Sequence, residues 1–332
     1  TTENWADIYK LVIPFKNKSS FDVTSEMNFT IFRMIKTAEN FLTSLGLQQM
    51  VPTFWNRSRL TAEEGWCYPI AVDFFDGKDF RIQICTVITH SSFIELHRLM
   101  GQAAYMMEYK DQPVVYRESA NPAFLEAIGN MIALSYQSPE HLKRLNLADD
   151  IPTDYETDIN FLMSVALKTL AGLPYAYLLE TWRWSVFGGN ITEENYNKEW
   201  WRLRCELQGV SPPVSRSESD FDPASDGYIS LDEPRIRYFL GTILQFQFYK
   251  AACKAAQHDR PLHKCDISGS AEAGNKLRSM MKLGSSQHWR VALKQFTGSS
   301  QVDIGPLLEY FQPLTQFLEK KNGKNIGSNS RC

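Results

Sequence analysis

Apolar residues recur three and four positions apart over most of this chain, in segments near 29–45, 92–109, 120–136, 157–185, 193–208, 234–256, 269–282, 287–297 and 304–321. A period near 3.6 gathers such residues on one face of a helix, so the pattern predicts a mainly α protein. The passage from Trp66 to Val87 departs from it. There AVDFFDGKDFRIQICTVI alternates β-prone residues about Asp76-Gly77, which predicts a short hairpin near residues 70–88 ahead of a helix beginning near Ser92. Loops are marked by GGNITEEN at 188–195 and PPVSRSESDFDPASDG at 212–227; in the first, Thr192 reads as an N-cap with a Glu in the following turn. The ending KKNGKNIGSNSRC carries too little apolar character to bury a face. With no internal repeat and no clean linker, residues 1–320 read as one domain or part of one, and 321–332 as a disordered polar tail.

Composition narrows the class. At 332 residues, 43% hydrophobic and 13% aromatic, the chain has ample material for a buried core. Lys and Arg total 35 against 38 Asp and Glu, a net charge of −3 without any block of like charge, which argues against nucleic-acid or anionic-membrane partners. No uninterrupted apolar run reaches the roughly 18–20 residues that span a bilayer, and Thr1 is not followed by a signal-like segment, so membrane association is expected only through segments outside this chain. Four Asn-x-Ser/Thr triplets, at Asn17, Asn28, Asn56 and Asn190, are candidate glycosylation sites. Of six cysteines, Cys67 and Cys85 flank a loop-and-strand passage and Cys253 and Cys265 flank KAAQHDRPLHK, spacings open to local disulfides. Buried free thiols of a cytosolic protein are the alternative, but beside the sequons an oxidising, extracellular setting is the better reading. Cys205 and Cys332 show no evident partner.

The segment HRLMGQAAYMMEYKDQPVVYRESANPAFLEAIGN, His97 to Asn130, resembles the zinc-binding region of the angiotensin-converting enzyme family, the peptidyl-dipeptidases, with its HEMGH and later EAIGD. The likeness continues through DFFDGKDFRIQICT, DINFLMSVALK, WRWSVFGGNITEENYNKEWWRLR, RIRYF, ILQFQF, PLHKCDI, EAGNKLRSMMKLG and YFQPL. It implies a helical, zincin-like ellipsoid with a central cleft, of which this chain is the carboxy-terminal half or slightly more. It also implies the pairings Cys67–Cys85 and Cys253–Cys265.

In an HExxH helix two His four apart grip zinc while the Glu deprotonates its water. Aligned through Met100-Gly101, those three positions are Arg98, Leu99 and Gln102. Arg stays protonated, and a like charge about 4 Å from a dication costs on the order of 8 kcal/mol at an effective dielectric of roughly 20. Leu99 cannot accept a proton and Gln102 offers only a carbonyl oxygen. The third ligand position keeps Glu126, while Asn130 replaces an Asp that orients a ligand His. A shifted site using His90 and His97 fails on spacing, since seven helical residues separate them by about 10 Å; both read as partly exposed helix histidines.

The same resemblance places former substrate contacts at Glu3, Tyr68, Asp226, Tyr228 and Arg235, where acidic groups at two of the carboxylate-clamp positions would repel a free carboxylate. It keeps an oxyanion-stabilising phenol at Tyr238 and chloride ligands at Trp200, Arg204 and Arg237. Each of these has a plain structural alternative, Tyr238 as a core aromatic and the arginines as paired cations. The chain is therefore expected to take no zinc, to accept chloride, and to act as an inactive extracellular homologue that binds a peptide or protein not identifiable from sequence. A working peptidyl-dipeptidase with an unconventional site stays open as the alternative.

Overall fold

A computed structural model describes residues 4–18, 23–24, 28–61, 68–148 and 152–323. The chain is mainly helical, with one two-stranded antiparallel sheet, and divides into two compact units. The first comprises Thr1–Lys16, Ile159–Thr242 and Gln312–Cys332; the second comprises Asn17–Asp158 and Ile243–Phe311.

The second unit is organised on the helix His90–Glu108. Thr89 starts it by accepting the N–H of Ser92 at 3.2 Å, and its inner face buries Phe93, Leu96, Met100, Ala103 and Met107. Burial of each such large side chain stabilises by about 1.5–3 kcal/mol. Against it lies the helix Pro122–Tyr136, capped by Asn121, with Pro122 at the first helical position where a missing N–H costs nothing. The two helices meet through glycines. A Cβ on Gly129 would stand 2.8 Å from the Arg98 carbonyl oxygen, and one on Gly101 3.1 Å from Ile132 Cγ1. The helix Ile31–Ser44, capped by Thr30, packs on the same helix.

The strands Ile70–Asp73 and Phe80–Gln83 pair with Ala71 opposite Ile82 and Asp73 opposite Phe80, and these four residues form the buried face. Their connection is longer than the tight turn that Asp76-Gly77 predicts. Asp76 Oδ1 accepts the N–H groups of Lys78 at 2.8 Å and Asp79 at 2.7 Å, while Phe75 (φ 60°) and Gly77 (φ 73°) adopt left-handed backbone. The carboxylate, rather than a two-residue turn, folds the chain back.

In the first unit the core is Tyr175, Leu178, Leu179, Trp182, Ile191, Trp200 and Leu203, contributed chiefly by the helices Leu173–Phe187 and Tyr196–Gln208. The single helix expected over 157–185 is two, Tyr155–Thr169 and Leu173–Phe187. Pro174 is the reason: it has no N–H for the carbonyl of Leu170 and its ring would clash there. By length and composition 155–187 could cross a bilayer, yet Glu180 and Arg183 within it are buried and paired with each other at 3.0 Å. Thr192 is not an N-cap. The following helix begins at Tyr196, and Glu218, from the next loop, accepts the free N–H groups of Asn197 at 2.7 Å and Lys198 at 2.9 Å. The chain's beginning joins this unit through Trp5 N donating to Leu167 O at 2.9 Å, Phe15 N donating to Asn160 Oδ1 at 3.0 Å, and the Phe15 and Phe317 rings 5.3 Å apart.

Cys253 and Cys265 form a disulfide, with Cα atoms 6.1 Å apart. Cys85 is also in a disulfide, although Cys67, its expected partner, lies outside the described residues. Cys205 is disulfide-bonded as well, contrary to the expectation that it had no partner. Cys332 and most of the polar tail fall outside the described residues.

Candidate functional site

Arg98, Leu99 and Gln102 sit mid-way along the helix His90–Glu108, and Glu126 on the helix Pro122–Tyr136. The glycine contact holds the two backbones close, so one turn of each presents its polar groups to the other. Arg98 Nη1 donates to Glu126 Oε2 at 3.3 Å, and Gln102 Nε2 donates to the same oxygen at 3.2 Å. Arg98 also grips Glu95 from its own helix, with Nε to Oε2 at 3.0 Å and Nη2 to Oε1 at 2.6 Å. Leu99 is fully buried in the core.

These residues do not fit a zinc ion. Glu126, the carboxylate at the third ligand position, already receives a guanidinium N–H, and that fixed positive charge opposes a second cation at the same place. The histidines of this helix do not supply the missing donors. Both are buried rather than partly exposed, because they lie on the inner face. His97 Nδ1 donates to Phe93 O at 2.7 Å and its ring stacks on Tyr136 with centroids 3.3 Å apart. Burial lowers its pKa well below the usual histidine value, Phe93 O opposing and His141 adding to the shift.

The other predicted positions belong to the first unit, apart from Tyr68, which is half exposed beside the sheet, and Glu3, which lies outside the described residues. Asp226 caps the short helix Gly227–Ser230, accepting the Tyr228 N–H at 2.8 Å, and also receives the Tyr175 hydroxyl. Its charge is thus engaged within the protein. The Arg235 guanidinium lies 3.9 Å from the Tyr228 ring centroid and 5.0 Å from that of Tyr238, and those two rings meet edge to face at 5.7 Å. Arg237 Nη2 donates to the Tyr238 hydroxyl at 3.1 Å. Buried Arg204 faces Tyr175 at 5.3 Å and Trp201 at 5.8 Å, and its Nε has no hydrogen-bond partner among the described residues. Burial lowers its pKa, with Tyr175 and Asp226 opposing. Trp200 is buried in the aromatic core.

The family model for angiotensin-converting enzyme matches residues 1–328. The chain belongs to the angiotensin-converting enzyme family. Angiotensin-converting enzymes of Bos taurus and Mus musculus are each 47% identical to it, over 97% and 98% of this chain and 25% and 26% of their own length. The angiotensin-converting enzyme of Theromyzon tessulatum is 42% identical over 96% of this chain and 53% of its own length. The chain thus spans about a quarter of the mammalian relatives and about half of the Theromyzon one.

Within this family member the expected positions fall into two groups, Arg98, Gln102 and Glu126 in one and Asp226, Tyr228, Arg235, Arg237 and Tyr238 in the other. Sequence reasoning missed three side chains that complete them. Glu95 was legible in principle, standing three residues before Arg98 on one helical face. Tyr175 and Glu180 were not. The first reaches Asp226 across 51 residues, and the second, almost fully buried, accepts the Arg235 backbone N–H across 55.

Proposed function

We propose that this chain is a catalytically inactive member of the angiotensin-converting enzyme family that acts outside the cell by binding a peptide or protein. The observation that carries the reading is the Arg98–Glu126 pair, at 3.3 Å, in the place where a metal-binding member would need a neutral His and a free carboxylate. With Leu99 unable to take a proton and Gln102 already donating to Glu126, the HExxH positions supply neither the two neutral nitrogen ligands nor the base that zinc-assisted peptide hydrolysis uses. Tyr238 supports no separate peptidase reading, since its hydroxyl accepts from Arg237 and its ring packs with Tyr228 and Arg235.

Chloride at Trp200, Arg204 and Arg237 belongs to the same proposal. Its support is the buried Arg204, whose Nε has no hydrogen-bond partner among the described residues and would gain from a bound anion. The extracellular setting is supported by the disulfides at Cys85, Cys205, Cys253 and Cys265, and by exposed side chains at Asn17, Asn28, Asn56 and Asn190.

Metal analysis of the purified chain, paired with an assay for dipeptide release from a peptide's C-terminus, tests the reading. Sub-stoichiometric zinc and no release are expected. Stoichiometric zinc together with dipeptide release would overturn it in favour of an unconventional peptidase.

A further inference from the structure

Among the described residues, the group around Arg98 holds one cation and two carboxylates, on two helices whose spacing is set by Gly101 and Gly129. Glu126 is only 16% exposed and Arg98 21%, so this pair is more sheltered than the surface ion pairs that contribute little. A Cβ at Gly129 would stand 3.1 Å from Arg98 Cγ and 3.0 Å from Gln102 Cγ, so the stems of both donors lie directly on the facing helix. The guanidinium is held from behind by two bonds to Glu95, which fixes its direction and leaves Nη1 for Glu126. Gln102 adds a neutral donor to the same oxygen. Removing the guanidinium would take a charge-assisted donor from a carboxylate that stays sheltered, a costly change.

We infer that Arg98 is an internal replacement for a metal ion: a covalently tethered cation that ties the helix His90–Glu108 to the helix Pro122–Tyr136 through Glu126, making the packing of this pair independent of metal. The role is structural. It turns a site whose charge balance would depend on a bound dication into one that the chain completes by itself. Glu95 is the positioning residue, since it neutralises the remaining demand of the guanidinium and aims it. The inference rests on the reading above that the site takes no zinc.

A double-mutant cycle on the full chain tests it, with Arg98→Met, Glu126→Gln and the combination followed by thermal unfolding, and zinc measured on the same samples. Arg98→Met should lower Tm by roughly 5 °C and Glu126→Gln by less. The double variant should be more stable than the sum of the two losses by at least about 2 °C, because removing both partners leaves no stranded charge. A chelator should leave the wild-type Tm unchanged. Glu95→Gln should reduce the coupling between Arg98 and Glu126, an effect a merely adjacent surface charge would not have. If Arg98→Met does not yield folded protein, Arg98→Lys replaces it in the cycle, keeping the charge but losing the fork, with a smaller drop and weaker coupling expected. Additive losses in zinc-free protein would overturn this inference and leave the inactive reading standing. Stoichiometric zinc with a chelator-sensitive Tm would overturn both.

Discussion

His97 shows how a residue expected to be bland acquires a measurable effect from its surroundings. It is held between Phe93, Phe41 and Tyr136, near His141, and its pKa is lowered chiefly by burial. The native state therefore keeps it neutral, whereas the unfolded chain protonates it below about pH 6.5. As pH falls through that value the unfolded state binds the extra proton, so stability is fully present above about pH 6.5 and declines below it, by at most about 1.4 kcal/mol per pH unit for one proton. Urea midpoints measured from pH 7.5 to 5 should fall more steeply for wild type than for His97→Phe. Parallel curves would show that His97 carries none of this dependence. Such an effect was not legible in sequence, where His97 is only a histidine in a helical segment; burial depends on which face turns toward the helix Ile31–Ser44.

At the scale of elements, the helices and the hairpin were readable because apolar spacing and turn residues are local signals. Thr30, Thr89 and Asn121 each cap a helix as residue type predicts. What failed was non-local. The helix Tyr196–Gln208 looked locally capped by Thr192, but Glu218 supplies the acceptors. The expected helix over 157–185 was read through Pro174 because the apolar period continues across it. The candidate metal group was legible in its residues, yet the second grip on Arg98 by Glu95 was passed over. The glycine crossing offers a test of packing in its own right. Gly129→Ala places a methyl 2.8 Å from the Arg98 carbonyl, which backbone cannot readily yield, and should cost about 1–3 kcal/mol despite the higher helix propensity of Ala. A chemical-denaturation ΔG unchanged or raised in that variant would show that the helices part at little cost.

For the whole molecule, stability draws on covalent links as well as on core burial. Cys253 and Cys265 close a loop with a sequence separation of 12, worth about 3 kcal/mol in the chain-entropy model. Replacing both by Ala should lower Tm by several degrees, and reductant should lower wild type further, since Cys85 and Cys205 are bonded too. A reductant-insensitive melt would contradict this account. The first unit has another property, written in the order of its parts. Its segments come from the beginning, the middle and the far end of the chain, and the Phe15–Phe317 contact joins positions about 300 residues apart. On a ribosome adding roughly 5–20 residues per second, Phe15 therefore waits roughly 15–60 s for its partner to be made. Folding from the amino terminus cannot complete this unit until Phe317 has been made. Leu11, 81% exposed even in the finished structure, and its neighbours Val12 and Phe15 spend that interval as an unpaired apolar segment, the kind of surface that chaperones engage.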